Sequence, residues 1–447
     1  MLSIHALRGE FATQDGDWLR RWATPALWPR MAAYGALATG LHVSLILLII
    51  QRRELSDLDR LVFWYLLLHL AVDGIRLLLG IVILLCRGFP RLADLGPEDW
   101  PAVSVVIPCH NEAEVIAETI RSLQDIDYPD LRIIVVDDGS SDDTAAIAAA
   151  CGGELLLVRQ PAGGKAAALN AGLALVRTPL TLLVDADCVF PRDGLRNAVR
   201  HLIGEREDAL GGHLAVLNRD NWLTLQQELE YGDLALRHFF WRFDLNLSHT
   251  QDVIPGALGM FRTEALRSAG PLSSIHLAED VALTARLVEL GRRLAFSPFL
   301  QAATVVPDTL SSLRIQRRRW VRGYTQVVVQ QLLRLGRING RAGMAALAMG
   351  LKTVRWPLDF GLALIYCLHA WVQGQPSVLL FSLLAMLFPF SLTGLGRFLR
   401  SDPAALVLFT YGYGLMLLAW RIWDQLTLVS TPQPRWEPYR RRARPTA

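Results

Sequence analysis

Four short β-branched or leucine-rich runs, Val103–Ile107, Leu131–Val136, Glu154–Val158 and Leu180–Val184, alternate with helix-like stretches at Glu112–Leu123, Asp142–Ala150 and Lys165–Val176. Apolar runs this short and this continuous are what strands buried on both faces look like, and strands alternating with helices imply a mostly parallel sheet covered on both sides. The chain over residues 101 to 335 therefore reads as an α/β domain. In such sheets ligands bind beyond the carboxyl ends of the strands, so chemistry is sought in the residues that follow each run.

Those residues are polar. Pro108-Cys109-His110-Asn111-Glu112 follows the first run, Asp137-Asp138-Gly139-Ser140-Ser141 the second, and Asp185-Ala186-Asp187 the fourth. Taken singly, Asn111 or Asp142 reads as a helix cap and Asp137-Asp138-Gly139 as a turn. Together, carboxylates and amides in register along one sheet edge suggest a site for a nucleotide and a cation. Asp185 and Asp187, one residue apart at a strand end, suit a hard divalent ion such as Mg2+ or Mn2+, its shell completed by diphosphate oxygens and water.

Two other nucleotide-binding devices are excluded by spacing. Gly164-Lys165 is followed by Ala166 and preceded five positions earlier by Arg159, so the G-x-x-x-x-G-K-[ST] loop is missing. No run is followed by G-x-G-x-x-G, which removes the dinucleotide fingerprint as well. Lys plus Arg is 45 and Asp plus Glu 42, a net charge of +3 too near balance for a nucleic-acid binder. Five scattered cysteines without a C-x-x-C pair give neither a disulfide framework nor a zinc site.

Hydrophobic residues make up 52% of the 447-residue chain, and the excess lies at its ends. Residues 31–50 carry no formal charge, and 61–86 is interrupted only by Asp73 and Arg76. Further apolar stretches run over 357–372, 376–396 and 404–429, against the about 20 residues that a spanning helix needs. The expected organisation is two transmembrane helices in residues 1–99, a cytoplasmic domain over 100–335 ending in an interfacial helix, interfacial and transmembrane helices over 336–430, and a basic tail over 431–447. Gly343–Arg355, with Lys352 and Arg355, reads as an amphipathic segment lying on the bilayer. Charges in residues 1–30 precede any apolar stretch, so the N-terminal pair reads as permanent anchors rather than a cleaved signal. Arg397 and Arg400 place one loop on the cytoplasmic side, as the arginines of the tail do for the tail; a single crossing between them cannot satisfy both.

Six motifs in order, Val103 to Glu112, Val136-Asp-Asp-Gly-Ser140, Gly164-Lys-Ala-Ala-Ala-Leu-Asn170, Asp185-Ala-Asp187, Glu279-Asp280 and Gln316-Arg-Arg-Arg-Trp320, resemble those of the processive family 2 glycosyltransferases. Among these membrane polysaccharide synthases, the poly-β-1,6-N-acetylglucosamine type is the most similar. The resemblance covers about residues 100 to 325 and implies a GT-A type nucleotide-sugar-binding domain flanked by membrane helices. It places Pro108, Asn111 and Glu112 near the donor, Asp138 against the uracil, Lys165 at the diphosphate, and Asp185 and Asp187 at nucleotide and metal. Asp280 becomes the general base beside Glu279, while Gln316, Arg319 and Trp320 face the sugar and the leaving diphosphate. Where the family carries Thr before Glu-Asp, this chain has Ala278.

The resemblance implies an inverting enzyme of a bacterial inner membrane, multi-pass, polymerising a UDP-sugar, with UDP-N-acetylglucosamine the first choice, into a β-linked exopolysaccharide that it helps to translocate. Its partners would be the UDP-sugar, the growing chain, the bilayer and, left open, a small accessory membrane subunit. Cellulose-, chitin- or hyaluronan-like products and a non-processive transfer to a lipid carrier remain alternatives. A nucleotide-binding receptor or export subunit would need neither Asp280 nor Trp320.

Overall fold

The computed structural model describes residues 90–228, 251–273, 275–338, 340–376 and 404–427, with isolated positions among 47–68 and 230–234. Eight strands form one sheet in the order β3-β2-β1-β4-β7-β6-β8-β5. They are β1 Val103–Cys109, β2 Leu131–Asp138, β3 Leu155–Gln160, β4 Leu180–Val184, β5 Cys188–Val189, β6 Ala209–Val216, β7 Leu258–Arg262 and β8 Leu294–Thr304. The helices are α1 Ile116–Gln124, α2 Thr144–Ala150, α3 Lys165–Leu175, α4 Arg196–Gly204, α5 Thr263–Ser268, α6 Glu279–Glu289, α7 Leu310–Leu333, α8 Gly340–Val372 and α9 Ala404–Leu426.

The first four strands pair in parallel, Val103 opposite both Leu131 and Leu180. The other half corrects the expectation of a mostly parallel sheet. β4 with β7, β7 with β6, and β5 with β8 pair antiparallel, and only β6 with β8 returns to parallel, so the sheet is mixed. These later strands carry weak sequence signals: β6 reads Ala-Leu-Gly-Gly-His-Leu-Ala-Val and β8 contains Pro298. Glycine and proline are poor strand residues, and pairing with neighbours overrides that preference.

Alternation along the strands divides the core. Val103, Val105, Ile107, Ile133, Val135, Leu182 and Val184 face one layer with α1 and α4. Val106, Ile134, Val136 and Leu183 face the other, with α3, α5 and α6. Gly172 lets α3 lie directly on the sheet, since a Cβ there would meet Val106 Cγ1 at 2.4 Å. This two-sided burial holds the carboxyl edge of β1, β2 and β4 rigid, and the motif residues project from that edge.

Several boundaries differ from expectation. β1 and β2 extend through Pro108-Cys109 and Asp137-Asp138, so these residues belong to strands. α1 begins at Ile116 rather than Glu112, because Asn111 adopts a left-handed φ of 57° and turns the chain first. At the other end of the chain, Gly343–Arg355 and Pro357–Val372 are parts of one continuous α8 that contains Pro357.

The contacts divide the chain into two units, one of residues 1–16, 87–350 and 423–447, the other of 17–86 and 351–422. In the second, Tyr366 donates to the buried Asp59 at 2.8 Å, and Tyr65 pairs with Asp359. Among the described residues no helix is long and apolar enough to cross a membrane. The expected spans over 31–50, 61–86, 376–396 and 404–429 lie wholly or partly outside those residues, as does the tail over 431–447.

Candidate active site

The nucleoside side is built from the ends of β1 and β2. His110 donates from Nδ1 to the Asp138 carbonyl oxygen at 2.8 Å, locking the two strand ends together. Asn111 accepts from the Ser141 amide at 2.8 Å, and its own amide donates to Ser140 Oγ at 2.9 Å. The Glu112 amide donates to Thr144 Oγ1 at 2.8 Å. The left-handed turn at Asn111 is thus held by the Asp-Asp-Gly-Ser-Ser loop. Pro108 lies buried in β1 opposite Val136.

Asp137 and Asp138 divide the work of that loop. Asp137, fully buried, accepts from the Ser140 amide at 3.1 Å and from Arg159 at 3.1 Å. Asp138 accepts from Gln160 Nε2 at 2.7 Å and the Gly163 amide at 2.9 Å through Oδ1, and from the Gly164 amide at 2.7 Å through Oδ2. The Asp138 carboxylate therefore ties the glycine loop to β2, directly ahead of Lys165. Gly164 makes this turn at φ 89°, a conformation open to glycine.

The donor and acceptor sides meet at Lys165. Its Nζ lies 2.6 Å from Asp185 Oδ1 and 3.2 Å from Glu279 Oε1, bridging the end of β4 and the start of α6. Burial works against the ammonium, but the Asp185 and Glu279 carboxylates prevail and hold its pKa well above that of an ordinary lysine. Asp187 sits with Asp185 on the turn into β5, closed by the Cys188 amide donating to the Asp185 carbonyl at 3.2 Å. Asp187 Oδ1 is 3.8 Å from Cys188 Sγ.

Asp280 follows in the first turn of α6, where unpaired helix amides favour a carboxylate. Its Oδ2 accepts from the Gly256 amide at 3.0 Å and its Oδ1 from the Val281 amide at 2.8 Å. A relay holds the Gly256 loop in place: the Ile254 amide donates to Thr284 Oγ1 at 2.9 Å, and Thr284 donates to the Asp280 carbonyl at 2.7 Å. Burial, and then the Glu279 charge, raise the Asp280 pKa, with Lys165 and the two amides pulling it down. A carboxylate with raised basicity and a vacant lone pair on each oxygen can take a proton.

On α7, Arg317 lies over the Trp320 ring at 4.1 Å and donates to Glu230 at 2.7 Å, while Trp320 meets Tyr231 edge to face at 6.3 Å. Gln316 accepts from Arg317. Arg319 is close enough to Lys165 for its charge to oppose the rise in that lysine's pKa. α7 reaches this position because Gly323 rests on Ala278, where a Cβ would come within 2.6 Å of the Ala278 Cβ.

Residues 101–323 match the family described as glycosyltransferase like family 2. This domain is a family 2 glycosyltransferase. Over 241 residues the chain is 26% identical to the poly-β-1,6-N-acetyl-D-glucosamine synthase of Staphylococcus aureus, covering 53% of this chain and 58% of that protein. The synthase of the same name from Staphylococcus epidermidis is 26% identical over 232 residues, 51% of this chain and 56% of that one. The chain thus spans a little over half the length of these curated relatives. Among solved structures, the mannosyltransferase PcManGT from Pyrobaculum calidifontis, in complex with GDP-Man and Mn2+, superposes with a TM-score of 0.55 at 21% identity, covering 88% of this chain and 99% of that one. The fold is that of the GT-A glycosyltransferases.

Within this glycosyltransferase domain the sequence motifs converge unevenly. Lys165, Asp185, Glu279 and Asp280 form one charged cluster, with Arg319 in its field. Asn111, Glu112 and Asp138 shape the adjoining loops. Gly256, Glu230 and Tyr231 are contributors that no motif announced. A backbone amide is invisible in a sequence, and Glu230 and Tyr231 lie over 80 residues upstream of Arg317.

Proposed function

We propose that this family 2 glycosyltransferase is a membrane-embedded inverting enzyme that polymerises a sugar, with UDP-N-acetylglucosamine as donor, into a β-linked exopolysaccharide and helps it cross a bacterial inner membrane. The single observation that carries the reading is the Lys165 bridge, which joins the donor-side carboxylate Asp185 to the helix turn that bears Asp280. The names of the curated relatives support the product class, and the apolar excess over 31–86 and 357–429 supports membrane anchorage with the domain on the cytoplasmic face.

In this scheme an acceptor hydroxyl attacks the anomeric carbon from the face opposite the diphosphate. Asp280 takes the hydroxyl proton as the carbon–oxygen bond forms, and the bond to the diphosphate breaks with its electron pair leaving on UDP. One displacement turns an α-linked donor into a β-linkage. Lys165 and Arg319 stabilise the departing diphosphate, and Glu279 keeps Lys165 beside the base. Trp320 offers a ring face for the sugar.

Asp185 and Asp187 fit a divalent cation bound together with the donor. Among the described residues no three His, Cys, Asp or Glu side chains could enclose a metal, and Mg2+ or Mn2+ at nucleotides characteristically takes one or two carboxylates with the phosphates. The mannosyltransferase neighbour was solved with Mn2+. When bound, the cation supplies charge neutralisation of the diphosphate.

The test is Asp280→Asn in the purified, membrane-reconstituted protein, offered UDP-N-acetylglucosamine, UDP-glucose and UDP-glucuronate separately. The parent is expected to release UDP with the first of these and the variant to lose that activity. Polymer at the parental rate from the variant refutes the base, and a parent that consumes no UDP-sugar refutes the enzyme reading.

A further inference from the structure

The three consecutive arginines of α7 go to three different places. Arg317 turns to Glu230 and the Trp320 ring, and Arg319 lies close enough to Lys165 for its charge to act on that ammonium. Arg318 falls on a third stripe with Arg314 and Arg322, one residue per helical turn, and that stripe converges on Asp424 in the last turn of α9. Arg314 grips the carboxylate with both terminal nitrogens, Nη2 to Oδ1 at 2.7 Å and Nη1 to Oδ2. Arg322 Nε stands 3.8 Å and Arg318 Nε 3.9 Å from Oδ1. Arg322 also donates to Thr427 Oγ1 at 3.0 Å, just beyond α9. Asp424 is 1% exposed and Arg322 2%.

We infer that Asp424 is a positioning residue for glycosyl transfer: it sets the rotation of α7 about its own axis and thereby the direction in which Arg319 and Trp320 face. The inference rests on the transfer reading proposed above. Successive residues on a helix point about 100° apart, so rotating α7 by one residue would bring Arg319 toward Asp424 and out of the Lys165 field. Along its middle α7 meets α6 through Gly323, Val327 and Val328 against Ala278, Val281 and Ala285, small apolar surfaces. Its other directional bonds include Arg317 to Glu230 at 2.7 Å, Gln330 Oε1 accepting from His276 at 2.8 Å, and Arg334 to Glu289 at 3.0 Å at its C-terminal end. A two-pronged guanidinium–carboxylate pair is directional, and its burial penalises any register that leaves the charge alone. Asp424, gathering three arginines of one stripe at a nearly fully buried carboxylate, therefore adds to the Glu230 pair an angular reference that the apolar contacts lack.

The test uses the full chain, with Asp424→Asn, Asp424→Glu and Arg314→Gln, and reads UDP release from UDP-N-acetylglucosamine together with hydrogen exchange in the 310–333 segment. For Asp424→Asn, kcat per folded molecule is expected to fall about tenfold to a hundredfold while the donor KM moves less than about twofold. Exchange across 310–333 speeds up, and Asp424→Glu recovers most of kcat. Arg314→Gln, which leaves Arg318 and Arg322 on the carboxylate, shows the same changes in smaller measure and serves if Asp424→Asn does not fold. Parental kcat in the first variant that folds, or exchange in 310–333 unchanged from the parent, overturns the inference. If the parent turns over no UDP-sugar the transfer reading falls, and the exchange measurement still decides whether Asp424 orders α7.

Discussion

Lys165 Nζ and Asp185 Oδ1 stand 2.6 Å apart, and the same ammonium reaches Glu279 at 3.2 Å. One positive charge thus compensates two carboxylates from elements almost a hundred residues apart in the chain. The group that would meet a diphosphate also holds the helix turn of Asp280 against the sheet edge. Replacing it by Met keeps the bulk and leaves Asp185 facing Glu279. The expected outcome for Lys165→Met is a fall in kcat/KM of about a hundredfold or more, with weaker binding of UDP by titration calorimetry, because a donor aimed at developing charge is lost.

The pH dependence has a definite sign. Burial and Glu279 raise the Asp280 pKa, and Lys165 with the Gly256 and Val281 amides opposes the rise without cancelling it. A general base works deprotonated, so the acid limb of kcat/KM should lie above the ordinary aspartate value of about 3.9. In Lys165→Met it should move higher still, since an influence that lowers the pKa is removed. For stability, a raised native pKa means that the folded state holds the proton longer than the unfolded chain, so stability falls as pH rises through that window. Asp280→Asn escapes this loss, and its melting temperature relative to the parent should be more favourable at pH 7 than at pH 4.

Gly256 carries the amide that holds Asp280 Oδ2. A Cβ there would sit 3.2 Å from Asp280 Cβ and 3.4 Å from Glu279 Oε1, tight but without backbone strain. Gly256→Ala should therefore displace the base by a fraction of an ångström. The expected result is a fall in kcat of about tenfold or more with a melting temperature within a few degrees of the parent, measured side by side.

Gly323 is a different case, because its added Cβ would meet the Ala278 amide nitrogen at 2.7 Å as well as the Ala278 Cβ. Backbone cannot step aside as a flexible side chain can. Gly323→Ala should destabilise the domain by about 1–3 kcal/mol in urea unfolding, the range for overpacking, and also lower kcat, because α7 is pushed away from α6. Ala278→Gly in the same chain should restore part of the loss.

Much of the nucleotide half was readable from the linear chain. Val103–Ile107 and Leu180–Val184 are buried on both faces, so their continuous apolar character announced strands, and the polar residues after them marked the working edge. β6 and β8, with a Gly-Gly pair and Pro298, carried no such signal. β6 takes its place by pairing with β7 and β8, and β8 by pairing with β6 and β5, while the antiparallel turn of the sheet is made where β7 pairs with β4.

The chain alone determined which residue types the motifs present and in what order: Asn111, Asp138, Lys165, Asp185 and Asp187 around the strand ends, then Asp280, Arg319 and Trp320 on helices. Local pattern suffices for that, because strand and helix periodicities are short. The tertiary structure decided what each side chain addresses. Asp138 turns to the glycine loop and Lys165 to two carboxylates, while the three arginines before Trp320 separate among Glu230, Asp424 and the Lys165 cluster. Charges find partners across the fold rather than along the chain, since Coulomb attraction depends on distance in space and on burial, and neither quantity is written in the order of residues.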